Sequence, residues 1–157
     1  MAALLVIAHA PLASALQAVA AHVYPDCGAR LQAVDVLPGM GPEQVLAEAK
    51  AAMSRLDADE VLVLTDVFGA TPCNAALELA DGQRVRVVAG VNVPMLWRTL
   101  CYVHLPLDEL VARAVAGGSQ GVMQLGSVRR QNQAAHTAPP PPANTPHDDQ
   151  VQHHHQQ

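Results

Sequence analysis

Charge is scarce in this chain: 15% of its 157 residues are Asp, Glu, Lys or Arg, and nine basic residues face fourteen acidic ones, a formal net charge of -5. That balance gives no electrostatic footing on nucleic acid or anionic lipid, whose binding rests on Lys and Arg neutralising phosphates. Aromatic residues make up only 3%. The three cysteines, Cys27, Cys73 and Cys101, are odd in number and widely spaced. Without a Cys-x-x-Cys pair they suggest neither a disulfide framework nor a thiolate metal site, and they read as reduced, mostly buried small hydrophobes. Long apolar runs are missing too. Stretches such as VLVL at 61–64 are far too short to cross a bilayer, and the amino end lacks the Lys/Arg start of a secretory signal, so the expected compartment is the cytoplasm, with no direct membrane insertion.

What the chain does have is a 50% apolar fraction, ample for one buried core. From residue 2 to about 125, short β-branched runs alternate with longer helical patterns, the mark of βαβ units around a parallel sheet. ALLVIA begins the first strand, and Leu12, Leu16, Val19, Ala20 and Val23 then repeat at helical spacing. LQAVDVL at 31–37 is a second strand, followed by a helix opening at Pro42 with Val45, Leu46, Ala49, Met53 and Leu56 inward. VLVLT at 61–65 is continuously apolar, as expected of a central strand covered on both faces. A third helix spans about Pro72 to Ala80, RVRVVAG at 84–90 alternates as a more peripheral strand, and a helix runs from Pro94 to about Leu100. LPLDELVARAVAGG makes one more helix, with Asp108 near its start and Gly117-Gly118 as its stop. VMQL at 122–125 reads as a last short strand, either at an edge or contributed to a partner subunit.

The expected fold is therefore α/β: an open, doubly wound, mainly parallel sheet of strand order 2-1-3-4 with helices on both faces. Residues 1–126 form the domain. Beyond them Gln, Asn, His and Pro predominate, with PPPP at 139–142 and HHH at 153–155, and residues 127–157 read as a disordered polar tail.

In such a sheet a crevice opens beyond the carboxyl ends of strands 1 and 3, where the direction of the crossovers reverses, and ligands bind there. His9 follows strand 1 directly and Asp66 follows strand 3 directly. A carboxylate bonded to one imidazole nitrogen fixes the tautomer and stabilises developing positive charge, leaving the other nitrogen as nucleophile. That pair suits phosphoryl acceptance, where the protein chiefly positions and stabilises the group in flight. Phe68-Gly69-Ala70-Thr71 forms a turn that opens into a helix at Pro72; its backbone N–H groups, with the Thr71 hydroxyl, form a candidate phosphoryl-binding set.

Each residue also has a plainer role. His9 alone could be a loop residue and Asp66 alone a turn cap. His22 and His104 fit surface or helix-end positions, Met95 and Trp97 fit packing, and Asn92 either lines the crevice or makes a turn. Gly117-Gly118-Ser119-Gln120-Gly121 lacks the Gly-Lys-Ser/Thr element of a phosphate loop and reads as a helix stop.

Three segments, VIAHAPLASAL around His9, LTDVFGATPCNAA around Asp66 and AGVNVPML at 89–96, resemble the enzyme IIA domain of the mannose family of the bacterial phosphoenolpyruvate-dependent sugar phosphotransferase system, over residues 3 to about 125. The resemblance implies an open α/β domain that commonly dimerises, accepts a phosphoryl group from phospho-HPr on the histidine matching His9, and orients that ring with the carboxylate matching Asp66. The chain departs from the family pattern at Ala10-Pro11, where glycine is common, and at Ala70, which replaces the second glycine of a Gly-Gly-Ser/Thr-Pro turn.

The expectation is a phosphocarrier passing its phosphoryl group from phospho-HPr to a IIB partner in sugar uptake, with no cofactor and no metal. Two alternatives remain at this level. One is a regulatory binding module whose partner choice depends on His9 phosphorylation. The other is a receiver-like domain phosphorylated on Asp66, which would want an acidic Mg²⁺-binding cluster after strand 1, where this chain has His9.

Overall fold

A computed structural model of the protein describes residues 1–126. The expectation of a disordered tail over 127–157 lies outside the described residues. The chain divides into a unit spanning Met1–Met123 and a second spanning Gln124–Gln157, of which only residues 124–126 are described. The first unit carries the fold.

Four parallel strands, β1 (Ala2–His9), β2 (Leu31–Val36), β3 (Glu60–Thr65) and β4 (Val85–Ala89), lie in the order β2-β1-β3-β4. Between and after them run α1 (Leu12–Val23), a short 3-10 turn at Pro25–Ala29, α2 (Pro42–Met53), α3 (Thr71–Leu79), α4 (Val93–Cys101) and α5 (Leu107–Gln120). Order and connectivity match the doubly wound expectation.

Side-chain alternation divides the core in two. Leu4, Val6, Leu62 and Leu64 point to one face, where α1, α4 and α5 contribute Leu16, Leu96 and Leu110. Leu5, Ile7, Val61 and Val63 point to the other, where α2 and α3 contribute Val45, Ala49, Ala75 and Ala76. Because β1 is covered on both sides, residues Ala2 to Ala8 are all buried, whereas His9 emerges at the strand's end. A strand of period two that has helices on both faces must be apolar at every position, which is why β1 and β3 read as unbroken hydrophobic runs.

Two expectations are corrected at the carboxyl end. Gly117 and Gly118 do not stop α5, which continues to Gln120. They are buried against α4: a Cβ at Gly117 would stand 2.6 Å from Arg98 Cβ, and one at Gly118 would stand 2.7 Å from Met95 Cε. Their missing side chains allow two helices to approach closely. VMQL is not a strand: residues 122–124 have no regular structure, and the exposed Val122, Met123 and Leu125 find no strand to pair with among the described residues. Cys27 and Cys73 are buried as expected, but Cys101 is exposed, its Sγ 3.0 Å from the Tyr24 hydroxyl. Among the described residues no helix is long and apolar enough to cross a membrane.

Candidate phosphoryl-acceptor site

β1 and β3 are neighbours, with Ile7 opposite Thr65, so the residues that follow, His9 and Asp66, leave adjacent strand ends on the same edge of the sheet. The turn from β1 into α1 is only Ala10-Pro11, and the peptide bond before Pro11 is cis. Within this short turn His9 is tied to Asp66 twice. Its ring Nδ1 lies 2.7 Å from Asp66 Oδ2, and its backbone N–H donates to the same oxygen at 2.9 Å. The other carboxylate oxygen, Oδ1, accepts the Val67 N–H at 2.8 Å.

Burial alone would push the Asp66 carboxyl up, but the hydrogen bonds from the His9 backbone, the His9 ring and the Val67 backbone, with the attraction of the imidazole, outweigh it and hold the group below its ordinary value. Asp66 is therefore ionised at neutral pH, and an ionised carboxylate can only accept. It follows that in the neutral ring the proton sits on His9 Nδ1 and the lone pair on Nε2. The His9 side chain is 53% exposed whereas that of Asp66 is 13% exposed, so the carboxylate is shielded and the imidazole stands open to the solvent.

The loop after Asp66 matches the expected turn. Gly69 has φ 86, a left-handed conformation that L side chains resist, so glycine is required there. Phe68 is 79% exposed. Thr71 is the first residue of α3, with Pro72 behind it; the cap residue Ala70 makes no side-chain cap bond, and the first turn holds no acidic residue. A helix start without its own anion offers its dipole to an incoming one.

Asn92 resolves to the structural alternative. It caps α4, accepting the Met95 N–H at 2.8 Å, and its Nδ2 donates to the Gly118 carbonyl at 3.2 Å. Met95 is buried, whereas Trp97 is 39% exposed; His22 and His104 are exposed. A cavity of about 390 Å³ lined by Tyr24, Cys27, Leu100 and Val103, among others, does not include His9.

Sequence reasoning passed over one acidic group at the same edge. Asp35 sits near the end of β2, where Ala8 is its partner in β1, and its Oδ1 accepts the Ser14 N–H in the first turn of α1 at 3.1 Å. The signal was available: LQAVDVL breaks an otherwise apolar strand end with an aspartate, much as VLVLTD does.

The described residues thus form an open parallel α/β sheet with a carboxylate-held, solvent-facing imidazole at its switch point. The family model described as "PTS system fructose IIA component" matches residues 3–115, and the chain belongs to that family. It is similar to the "PTS system mannose-specific EIIAB component" of Escherichia coli (strain K12), with 40% identity over 96 residues that cover 59% of this chain and 30% of that one. Against the "PTS system fructose-specific EIIA component" of Bacillus subtilis (strain 168), identity is 37% over 93 residues, 57% of this chain and 64% of that one. The chain thus spans less than two thirds of the length of either relative. Among solved structures, the mannose/sorbose specific IIA subunit of Enterococcus faecalis superposes with a TM-score of 0.69 at 26% identity, covering 78% of this chain and 93% of that one. The phosphotransferase system component EIIA of Streptococcus agalactiae gives a TM-score of 0.73 at 20% identity over 81% and 99%, a likeness of fold.

Proposed function

We propose that the protein is a phosphocarrier of sugar uptake in which His9 Nε2 takes a phosphoryl group from phospho-HPr and yields it to a IIB partner. The observation that carries the reading is the 2.7 Å bond from His9 Nδ1 to the ionised Asp66, which directs the lone pair of Nε2 outward. In the transfer, the N–P bond at Nε2 forms as the donor's N–P bond breaks, and the donor imidazole keeps the released electron pair. His9 gains positive charge, and Asp66 stabilises it through the Nδ1–H that stays in place. The dianionic group is received by the Phe68-Gly69-Ala70 backbone, the Thr71 hydroxyl and the start of α3. No metal or cofactor enters the scheme.

Asp66 is poorly suited to be the phosphorylated residue itself. Both of its oxygens are engaged by His9 and Val67, and its negative charge serves the ring. The carboxyl edge of the sheet suits a protein partner: Leu12 at the start of α1, Leu37 after β2, and Val67 and Phe68 after β3 are exposed apolar side chains. The reading also carries a homodimer working in the cytoplasm, which light scattering on the purified protein tests for mass.

Incubation with phosphoenolpyruvate, enzyme I and HPr should label wild-type protein on His9, mapped by mass spectrometry under conditions that preserve phosphoramidates. His9→Ala should take no label; persistent labelling would overturn the assignment. Asp66→Asn should fold yet accept the group at least ~10²-fold more slowly, because an amide does not fix the tautomer as a carboxylate does. A phosphorylated protein that passes its group to no IIB protein and instead changes its binding partners would be the regulatory module.

A further inference from the structure

The β1–α1 turn is short, and it is held at both ends by carboxylates that come from the two strands flanking β1. Asp66, after β3, takes the His9 N–H at the entry, while Asp35, on β2, takes the Ser14 N–H at the exit. The second bond is unusual in origin. The third helical N–H is ordinarily accepted by the side chain of the cap residue just before the helix. Here that residue is Pro11, which makes no side-chain cap bond, and the first turn of α1 contains no acidic residue. Asp35 supplies the cap from a neighbouring strand. The Ser14 hydroxyl adds a bond to the Pro11 carbonyl at 3.1 Å, so the exit is tied back onto the turn itself.

From these contacts we infer that Asp35 is a positioning residue for His9: by pinning the first turn of α1 to β2 it sets where the two-residue turn leaves the imidazole, and so keeps Nδ1 on Asp66. The inference rests on His9 being the phosphoryl acceptor, but the ring geometry that it concerns exists without any phosphodonor. Loss of the Asp35 bond frees the exit of the turn, lets the ring sample orientations off Asp66, and mixes its tautomers. Small misplacements of a reacting atom cost rate out of proportion to their size.

The test is a series of Asp35 variants of the full chain, read in two ways. Ring ¹⁵N NMR of the unphosphorylated protein should show one His9 tautomer, protonated on Nδ1, in wild type. Asp35→Ala should shift the signals toward a mixture, and Asp35→Asn, which keeps an acceptor oxygen, should restore them. Single-turnover phosphorylation by phospho-HPr should fall about tenfold in maximal rate for Asp35→Ala, with the half-saturating donor concentration unchanged. A residue that only capped the helix would lower the unfolding midpoint of Asp35→Ala while leaving ring signals and rate as in wild type, and that result overturns the proposal. So does an Asp35→Asn protein as defective as Asp35→Ala. Should Asp35→Ala not fold, Asp35→Glu, which displaces the oxygen by one methylene, must move the ring signals for the inference to stand. A wild-type protein that takes no phosphoryl group refutes the phosphocarrier reading instead, and leaves the tautomer series to decide on Asp35.

Discussion

Thr65 is wholly buried, one residue before Asp66, and among the described residues its hydroxyl oxygen has no hydrogen-bond partner. Leaving a buried hydroxyl unpaired costs roughly 1–3 kcal/mol. Thr65→Val, which keeps the branched shape, should therefore raise stability by about 1 kcal/mol in urea unfolding. Asp66 gives a sign that can be checked in the same assay. Its folded value lies below the ordinary 3.8, so the stabilisation it contributes is complete above that pH and is lost as pH falls through the lower, folded value. The carboxylate's own share of the stability gap between wild type and Asp66→Asn should be complete above about pH 3.8 and lost below it. His9 and Asp66 were legible in the sequence because each interrupts an apolar run at the point where a buried strand must end. Asp35 carried the same signal, but its partner is a backbone N–H of a helix, and a backbone donor leaves no trace in a list of side chains.

The elements were legible where burial is two-sided or amphipathic. β1, β3 and α1 were read to within a few residues because their periodicity is set by the sheet and helix geometry alone. The misreadings at the end of the domain share a cause. A glycine pair carries the local mark of a helix stop, and only the approach of α4 shows that the pair instead admits a neighbouring helix. VMQL has the composition of a strand, yet a strand exists only through a ladder to another one. Gly117→Ala should thus destabilise the protein by about 1–3 kcal/mol, although alanine favours helices, because the added Cβ meets Arg98 Cβ at 2.6 Å and the Pro94 carbonyl at 3.2 Å. Gly118→Ala should cost less, since the nearest atom there is the flexible end of Met95. Thermal or urea unfolding of the two variants side by side tests the order.

Across the whole molecule, charge is distributed in a way that bears on partners. The loops at the carboxyl edge of the sheet, residues 9–14, 35–42, 66–72 and 89–95, contain no Lys or Arg but include Asp35 and Asp66. In a protein of formal net charge -5, the surface that on the proposed function meets a dianionic phosphoryl group has no Lys or Arg in these loops. Approach is then favoured for a donor that brings its positive charge with it, and screening should weaken the encounter. The half-saturating concentration of phospho-HPr should rise between low and physiological salt while the maximal rate holds. Phe68→Ala should raise it too, without changing the unfolding midpoint, because a side chain 79% exposed contributes little to the core.

One carboxylate oxygen of Asp66 grips both the main chain and the ring of His9. An imidazole held so cannot turn over to exchange its nitrogens, and the choice between its two phosphorylated isomers is made before any donor arrives. The modified protein should carry the tele isomer alone, with the pros form missing even after prolonged incubation.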